Sequence, residues 1–160
     1  MASLITRDAF ELARPRDFRR YKVASRTVKD DIELVRDIIA EGKETIVSLG
    51  MWEGDGLPVE ASDQIKFLWC KSHYPAAPWD LTEMPKDFTA TPYAGYSDHS
   101  LGIEVPLMAI ARGAKIIEKH FTLDKSDTTI RDHALSATPD EFAEMVRLGR
   151  AMERYLSQGV

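Results

Sequence analysis

Two histidines at the ends of consecutive predicted strands are the first candidates for chemistry in this sequence. His99 follows the run Gly95-Tyr96-Ser97-Asp98, and His120 lies near the end of a strand predicted over residues 115–121. Because the carboxyl ends of neighbouring parallel strands meet at one edge of a sheet, we expect the two imidazoles to converge. Two imidazoles beside open positions are a ligand set for a divalent metal. A second interpretation stays open because no third protein ligand is apparent: each histidine is a hydrogen-bonded polar residue at a strand end.

A lysine and several serines also lie at or near the ends of predicted strands. Lys22 and Ser25 lie at the end of one predicted strand, Ser48 ends the next, and Ser97 precedes His99 by two residues. A lysine supplies charge and serine hydroxyls supply directional donors, and both suit a phosphate group. The same combination also arises at strand ends by chance, so these residues alone do not decide for a phosphate site.

These positions follow from a repeating unit in which a short β-branched run precedes a helical pattern. Strands are predicted over residues 4–6, 21–24, 45–49, 65–70, 94–97 and 115–121. Helices are predicted over residues 8–13, 31–41, 103–112 and from 138 onward. Strands that alternate with helices indicate a parallel α/β sheet, and five or six strands are too few for a closed eight-stranded barrel.

The final helix has the clearest start signal in the sequence. Thr138-Pro139-Asp140-Glu141 provides a cap residue, a proline at the first helical position and a glutamate at the third. The stripe that this helix is predicted to bury contains Phe142, Met145, Val146, Met152 and Leu156. Residues 52–63 are predicted to form a solvated loop, because their acidic residues lack the alternating pattern of calcium ligands. The proline-rich residues 75–92 permit one or two helical turns.

The composition indicates one globular domain over residues 1–160. Hydrophobic residues make up 44% of the chain, Cys70 is its single cysteine, and no apolar run is long enough for a membrane span or a signal core. A net charge of −5, with scattered lysines and arginines, argues against nucleic-acid binding. We therefore predict a cytoplasmic protein with no nucleic-acid or membrane partner.

Residues 94–149 resemble the sialic acid (N-acetylneuraminate) synthase family, whose members join phosphoenolpyruvate to N-acylmannosamine-type sugars. The resemblance rests on GYSDHSLGIEVPLMAIARGAKIIEKHFTLDKS and RDHALSATPDEF, in which the two histidines keep the family's spacing of 21 residues. Upstream, YKVAS, TIVSLGM and WCKSHYP are similar to the family's preceding strand ends, in the same order. The resemblance implies an α/β fold that is a partial TIM (β/α)₈ barrel, without the family's first strands and its C-terminal antifreeze-like domain.

The resemblance also implies roles for individual residues. His99 and His120 would hold a divalent cofactor, Mn²⁺ or Mg²⁺, that makes the aldehyde carbon of the sugar electrophilic. His99, His120 and Lys22 would be catalytic; Lys22 would bind the phosphoenolpyruvate phosphate, and its charge matches the charge that develops in the reaction. The implied substrate contacts are Ser25, Ser48, Ser72 and Ser97 for phosphoenolpyruvate, and Tyr74 and Asp132 for the acylated amino sugar. The family often has asparagine at the position of Ser72.

Departures from the family pattern bear on activity. The family's first two strands carry a water-activating carboxylate and a phosphate-binding lysine, and this sequence has no counterpart of them. Arg26 and Thr27 stand where the family has a glycine and a glutamate that stabilises a cationic intermediate. The missing strands would expose a sheet edge at which another chain can pair. We therefore expect a homo-oligomer or a complementing N-terminal chain. The alternatives are a catalytically inactive truncated remnant or binding module of the same family, and another metal-dependent barrel lyase or aldolase.

Overall fold

Short β-branched runs form parallel strands, as the sequence predicts. The computed structural model describes residues 1–159 of the chain. Within these residues the strands are β1 Ala2–Leu4, β2 Arg20–Val23, β3 Glu44–Ser48, β4 Ile65–Cys70, β5 Tyr93–Asp98 and β6 Ile116–Lys119. The α-helices are α1 Arg7–Ala13, α2 Ser25–Asp30, α3 Ile32–Ala40, α4 Glu104–Ala111 and α5 Pro139–Leu156, and 3₁₀ turns cover Pro78–Leu81, Phe88–Ala90 and Arg131–Leu135.

The first of two structural units, Met1–Cys70, contains four strands that pair in parallel and in sequence order. Val23, Val47 and Leu68 on three of these strands are fully buried. Near-continuous apolar runs are typical of parallel strands that are covered on both faces. Helix α3 buries the apolar side of its amphipathic pattern through Leu34, Val35 and Ile38.

The second unit, from Lys71 onward, contains the parallel pair β5 and β6 and the helices α4 and α5. A Cβ atom on Gly95 would lie 1.8 Å from the Ile116 carbonyl oxygen, so the close approach of β5 and β6 requires glycine there. Helix α5 begins with the predicted capping box, in which Thr138 and Glu141 each donate a backbone N–H to the other's side chain. The prediction of one barrel domain over the whole chain stays a prediction.

The structure corrects the predicted elements in three places. Leu156 is 43% exposed, so the predicted buried stripe of α5 was wrong at its end. The reason is length, because α5 has 18 residues and its packing partner α4 has only 8. Helix α2 was not predicted, and β1 begins two residues before the predicted strand. Within residues 1–159, no helix has both the length and the apolar character that crossing a bilayer requires.

A buried ion pair fixes the alignment of β5 with β6. Asp98 lies opposite Lys119 in the ladder, and Lys119 Nζ is 2.6 Å from Asp98 Oδ2, with side chains only 1% and 0% exposed. The ammonium also donates to the Ser100 carbonyl, and the Ser100 amide and hydroxyl both donate to Asp98 Oδ1. A buried ion pair needs such additional hydrogen bonds to offset the loss of solvation. Because this register is fixed, His99 and His120 leave their strands side by side.

We expect Lys119→Met to lower the free energy of unfolding by roughly 3–5 kcal/mol, because it leaves the Asp98 carboxylate buried without a counter-charge. Urea denaturation measures this change. The double variant Asp98→Asn/Lys119→Met should recover part of the loss, since it removes both charges. The control is Lys115→Met, whose ion pair with Glu153 is largely exposed, and its effect should stay within about 1 kcal/mol. Equal stability of Lys119→Met and the control would show that the buried pair does not hold the two strands.

Candidate metal and substrate site

The two predicted histidine rings lie together. The ring centroids of His99 and His120 are 5.3 Å apart, and the ring planes meet at 51°. His99 follows β5 directly and is buried, whereas His120 follows β6 and is half-buried. The predicted convergence of the imidazoles is therefore confirmed, and it follows from the parallel pairing of β5 with β6.

Hydrogen bonding and burial prepare His99 to donate a lone pair. Its Nδ1 lies 3.1 Å from the Lys71 carbonyl oxygen. A carbonyl can only accept, so Nδ1 carries the hydrogen and the neutral ring has its lone pair on Nε2. Burial lowers the pKa of His99 most, and the adjacent His120 lowers it further, against weaker raising effects from the Lys71 carbonyl and two nearby carboxylates. The neutral ring is the form that binds a metal.

Tyr74 joins the two histidines, as the predicted site requires. Its ring centroid lies 4.2 Å from that of His99 and 6.1 Å from that of His120. The guanidinium carbon of Arg131 lies 5.2 Å from the same ring centroid. Asp132 follows Arg131, and its Oδ1 is 3.4 Å from Arg131 Nε, a separation of an ion pair without a hydrogen bond. Within residues 1–159, this buried Oδ1 has no hydrogen-bond partner.

Ser97 and Glu118 lie on the same face of the strands as the imidazoles, because each precedes one of the histidines by two residues. The two residues are opposite each other in the ladder, and the Ser97 hydroxyl donates to Glu118 Oε2 at 2.6 Å. Glu118 was not predicted as a site residue, although the strand register would have placed it beside Ser97. Ser72 lies after β4 and is half-buried.

The predicted phosphate ligands of the first unit lie at the ends of neighbouring strands. Lys22 is on β2 and Ser48 ends β3, and both are almost fully buried. Lys22 Nζ donates to the Val23 carbonyl at 2.8 Å. Ser25 begins α2, and its hydroxyl oxygen accepts from the Gly50 amide at 3.0 Å. Because β2 and β3 pair in parallel, Lys22 and Ser48 lie toward the same edge of the first unit.

Thr27 occupies the position at which the resemblance implies a glutamate. Its side chain is 2% exposed, and its hydroxyl donates to the Ile5 carbonyl at 3.2 Å. The residue thus satisfies a buried backbone acceptor and brings no carboxylate to this position.

The imidazole pair suits a divalent transition metal whose other ligands are oxygens of substrate or water. No group of three or more histidine, cysteine, aspartate or glutamate side chains within residues 1–159 is arranged to hold a metal ion. Two protein ligands therefore leave most coordination positions to other molecules. Mg²⁺ prefers oxygen ligands, whereas imidazole nitrogen suits transition metals, so the pair fits Mn²⁺ better than Mg²⁺.

Two curated proteins are similar in sequence to most of this chain. Pseudaminic acid synthase of Campylobacter jejuni is 38% identical in an alignment of 151 positions that covers 87% of this chain and 43% of that protein. N-acetylneuraminate-9-phosphate synthase of Homo sapiens is 37% identical in an alignment of 127 positions that covers 72% of this chain and 35% of that protein. This chain thus spans less than half the length of these curated relatives.

A solved structure and a family model agree with these relatives. The crystal structure of N-acetylneuraminic acid synthetase from Leptospira borgpetersenii matches with a TM-score of 0.80 and 28% identity, over 96% of this chain and 56% of that one. This likeness confirms the predicted fold class, an α/β fold that is part of a TIM barrel. The model of the NeuB family matches residues 1–160. The chain therefore belongs to the NeuB family.

Proposed function

We propose that the chain is an N-acylneuraminate synthase-like protein of nonulosonic acid biosynthesis, which condenses phosphoenolpyruvate with an N-acylmannosamine-type sugar. The observation that carries the proposal is the convergence of His99 and His120, with ring centroids 5.3 Å apart. The names of the family relatives, which make pseudaminic acid and N-acetylneuraminate 9-phosphate, support it. They also support phosphoenolpyruvate and an acylated amino sugar as the small-molecule partners.

The sugar side of the proposed site lies in the second unit. His99 and His120 hold a divalent cation, which supplies Lewis-acid polarisation of the sugar carbonyl when it is bound. Asp132 accepts hydrogen bonds from sugar hydroxyls, because its buried Oδ1 has no hydrogen-bond partner in residues 1–159. Tyr74 packs against both imidazoles and provides an aromatic wall for the sugar.

The phosphate contacts are proposed from the resemblance. In the first unit, Lys22 supplies a positive charge, and Ser25 and Ser48 supply hydroxyl groups. In the second unit, Ser72 and Ser97 supply further hydroxyls. The Ser97 proton is held by Glu118, so Ser97 binds phosphate as a donor only if that hydrogen bond opens.

The proposed reaction forms one carbon–carbon bond and breaks one carbon–oxygen bond. The methylene carbon of phosphoenolpyruvate attacks the aldehyde carbon of the sugar, and the aldehyde oxygen takes up a proton. Water adds to the resulting oxocarbenium carbon and loses one proton. The tetrahedral adduct then expels phosphate, which leaves with the remaining hydroxyl proton, and a ketone forms. One phosphoenolpyruvate, one sugar and one water thus yield one nonulosonic acid and one inorganic phosphate.

We further propose that turnover needs the carboxylate and the lysine that the resemblance places on the family's first two strands. Residues 1–160 contain no counterpart of those strands, and they span under half the length of the curated relatives. A second polypeptide with those strands would supply both groups. The competing function, a binding module without turnover, is favoured by Thr27, whose buried hydroxyl stands in place of the expected carboxylate.

Calorimetry with Mn²⁺ tests the metal ligands. We expect His99→Ala and His120→Ala each to weaken Mn²⁺ binding by more than about tenfold, because each removes one of two protein ligands. His73→Ala is the matched control, since this half-exposed histidine pairs with Asp80. Wild-type protein should also bind Mg²⁺ more weakly than Mn²⁺. Unchanged Mn²⁺ affinity in both site variants would defeat the assignment of the two ligands.

Phosphate release from phosphoenolpyruvate and N-acetylmannosamine, with Mn²⁺ present, tests the synthase proposal. We expect release when the chain is mixed with a polypeptide that carries the first two barrel strands of a family relative, and none from either chain alone. Lys22→Met in the mixture should reduce the rate by at least about 100-fold, because it removes a charge that the transition state needs.

Two other results of the phosphate-release assay would each contradict one of these proposals. Release by the chain alone would contradict the need for a complementing chain. If no mixture releases phosphate while Mn²⁺ still binds, the synthase proposal fails for this sugar and the binding module is favoured.

A further inference from the structure

Arg131 is a cation at the imidazole site to which the proposed function assigns no role. Its guanidinium carbon lies 5.2 Å from the centroid of the Tyr74 ring, and that ring lies 4.2 Å from the His99 ring. The Tyr74 ring therefore lies close to both the guanidinium and the His99 imidazole. The Arg131 side chain is 76% exposed, so a ligand can reach it from solvent.

The hydrogen-bonding capacity of Arg131 is almost unused. A guanidinium has five N–H donors in a planar fork. Within residues 1–159, the guanidinium of Arg131 makes no hydrogen bond, and its one ion-pair partner is Asp132, whose Oδ1 is 3.4 Å from Arg131 Nε. The guanidinium lies over the Tyr74 ring, and this cation–π contact uses none of its N–H donors in a hydrogen bond. Such a fork matches the oxygens of a phosphate in a bidentate arrangement.

Other cations near this segment are already paired. Lys71 Nζ lies 3.5 Å from a Glu83 carboxylate oxygen, and Lys125 Nζ lies 2.6 Å from Glu141 Oε1. An arginine stacked on a surface tyrosine is in many proteins a packing contact only. Here the tyrosine belongs to the candidate site, and the residue after the arginine carries the buried carboxylate oxygen proposed to bind sugar hydroxyls. The contact with Tyr74 and the position next to Asp132 therefore link Arg131 to the proposed sugar site.

We propose that Arg131 is a specificity-determining residue that binds a phosphate monoester on the sugar, at the end distant from the carbonyl. The carbonyl end belongs at the imidazoles, and the guanidinium and the His99 imidazole both lie beside the Tyr74 ring. The far end of an extended sugar can therefore reach Arg131. The substrate class is therefore a phosphorylated N-acylamino sugar. This inference rests on the proposed function, since it assumes that a sugar binds at the imidazole pair.

Calorimetry with two sugars tests the inference by binding alone, so it does not depend on turnover. N-acetylmannosamine 6-phosphate and N-acetylmannosamine are titrated into the full chain with Mn²⁺, both with and without the complementing polypeptide. We expect Arg131→Gln to weaken binding of the phosphorylated sugar by about tenfold, and to leave binding of the other sugar and of Mn²⁺ unchanged. Arg131→Lys should give an intermediate loss, because it keeps the charge and loses the fork.

Two controls separate a specific contact from general charge and from misfolding. Arg147→Gln, which removes an exposed arginine paired with Glu144 on α5, should leave both sugar affinities unchanged. The thermal unfolding temperature of Arg131→Gln should match the wild type. In wild-type protein, added salt should weaken binding of the phosphorylated sugar more than that of the neutral one.

The possible failures are distinguishable. Equal wild-type affinity for the two sugars, or unchanged binding of the phosphorylated sugar to Arg131→Gln, overturns the inference and leaves the proposed function standing. The inference is also overturned if Arg131→Gln weakens binding of phosphoenolpyruvate and of neither sugar. The phosphate that Arg131 contacts would then be that of the other substrate. Binding of neither sugar to any variant counts against both the inference and the proposed function.

Discussion

The candidate site depends on the register between β5 and β6. Asp98 and Lys119 are opposite each other and share a buried ion pair, so the next residue on each strand is a histidine. A slip of one residue would leave a carboxylate and an ammonium buried without partners, and it would also turn the imidazoles to different faces. Because successive side chains on a strand alternate, the charges and the rings point to opposite sides. The ion pair thus positions the imidazoles without contributing to their chemistry.

The imidazole pair differs from that ion pair in its electrostatics. Burial and the neighbouring ring keep the pKa of His99 low, and the Lys71 carbonyl holds the proton on Nδ1. A positive charge on the His99 ring is disfavoured by burial and by the adjacent His120 ring. The environment of His99 therefore favours the neutral form, which can donate a lone pair to a cation.

The strands and the imidazole pair could be predicted because both follow from periodic patterns. Ile65–Cys70 is apolar throughout, as a strand covered on both faces must be, and the capping box at Thr138 marks the first turn of α5. Parallel strands share one carboxyl edge, so two histidines at consecutive strand ends must lie close together. Helix α2 could not be predicted, because its six residues have neither a side-chain cap nor a long apolar period.

Contacts made by irregular segments could not be predicted from the sequence. Arg131 and Tyr74 belong to segments without hydrophobic periodicity, and their contact depends on loop conformation and on rotamers. The Asp98–Lys119 pair was missed for another reason. Charged residues inside a strand usually point to solvent, and only the register shows that these two neutralise each other in the interior.

The proposed cation and sugar ligands lie in a different part of the chain from the departure at Thr27. His99, His120, Tyr74 and Asp132 all belong to the second unit, whereas Thr27 belongs to the first. A carboxylate that stabilises a cationic intermediate acts mainly on the transition state, so its absence lowers turnover more than substrate binding. The proposed cation and sugar ligands would act already in the ground state. A chain that has these ligands and lacks that carboxylate would therefore retain ligand binding after its turnover has fallen. The two proposed functions, synthase and binding module, would then differ in rate rather than in the ligands they bind.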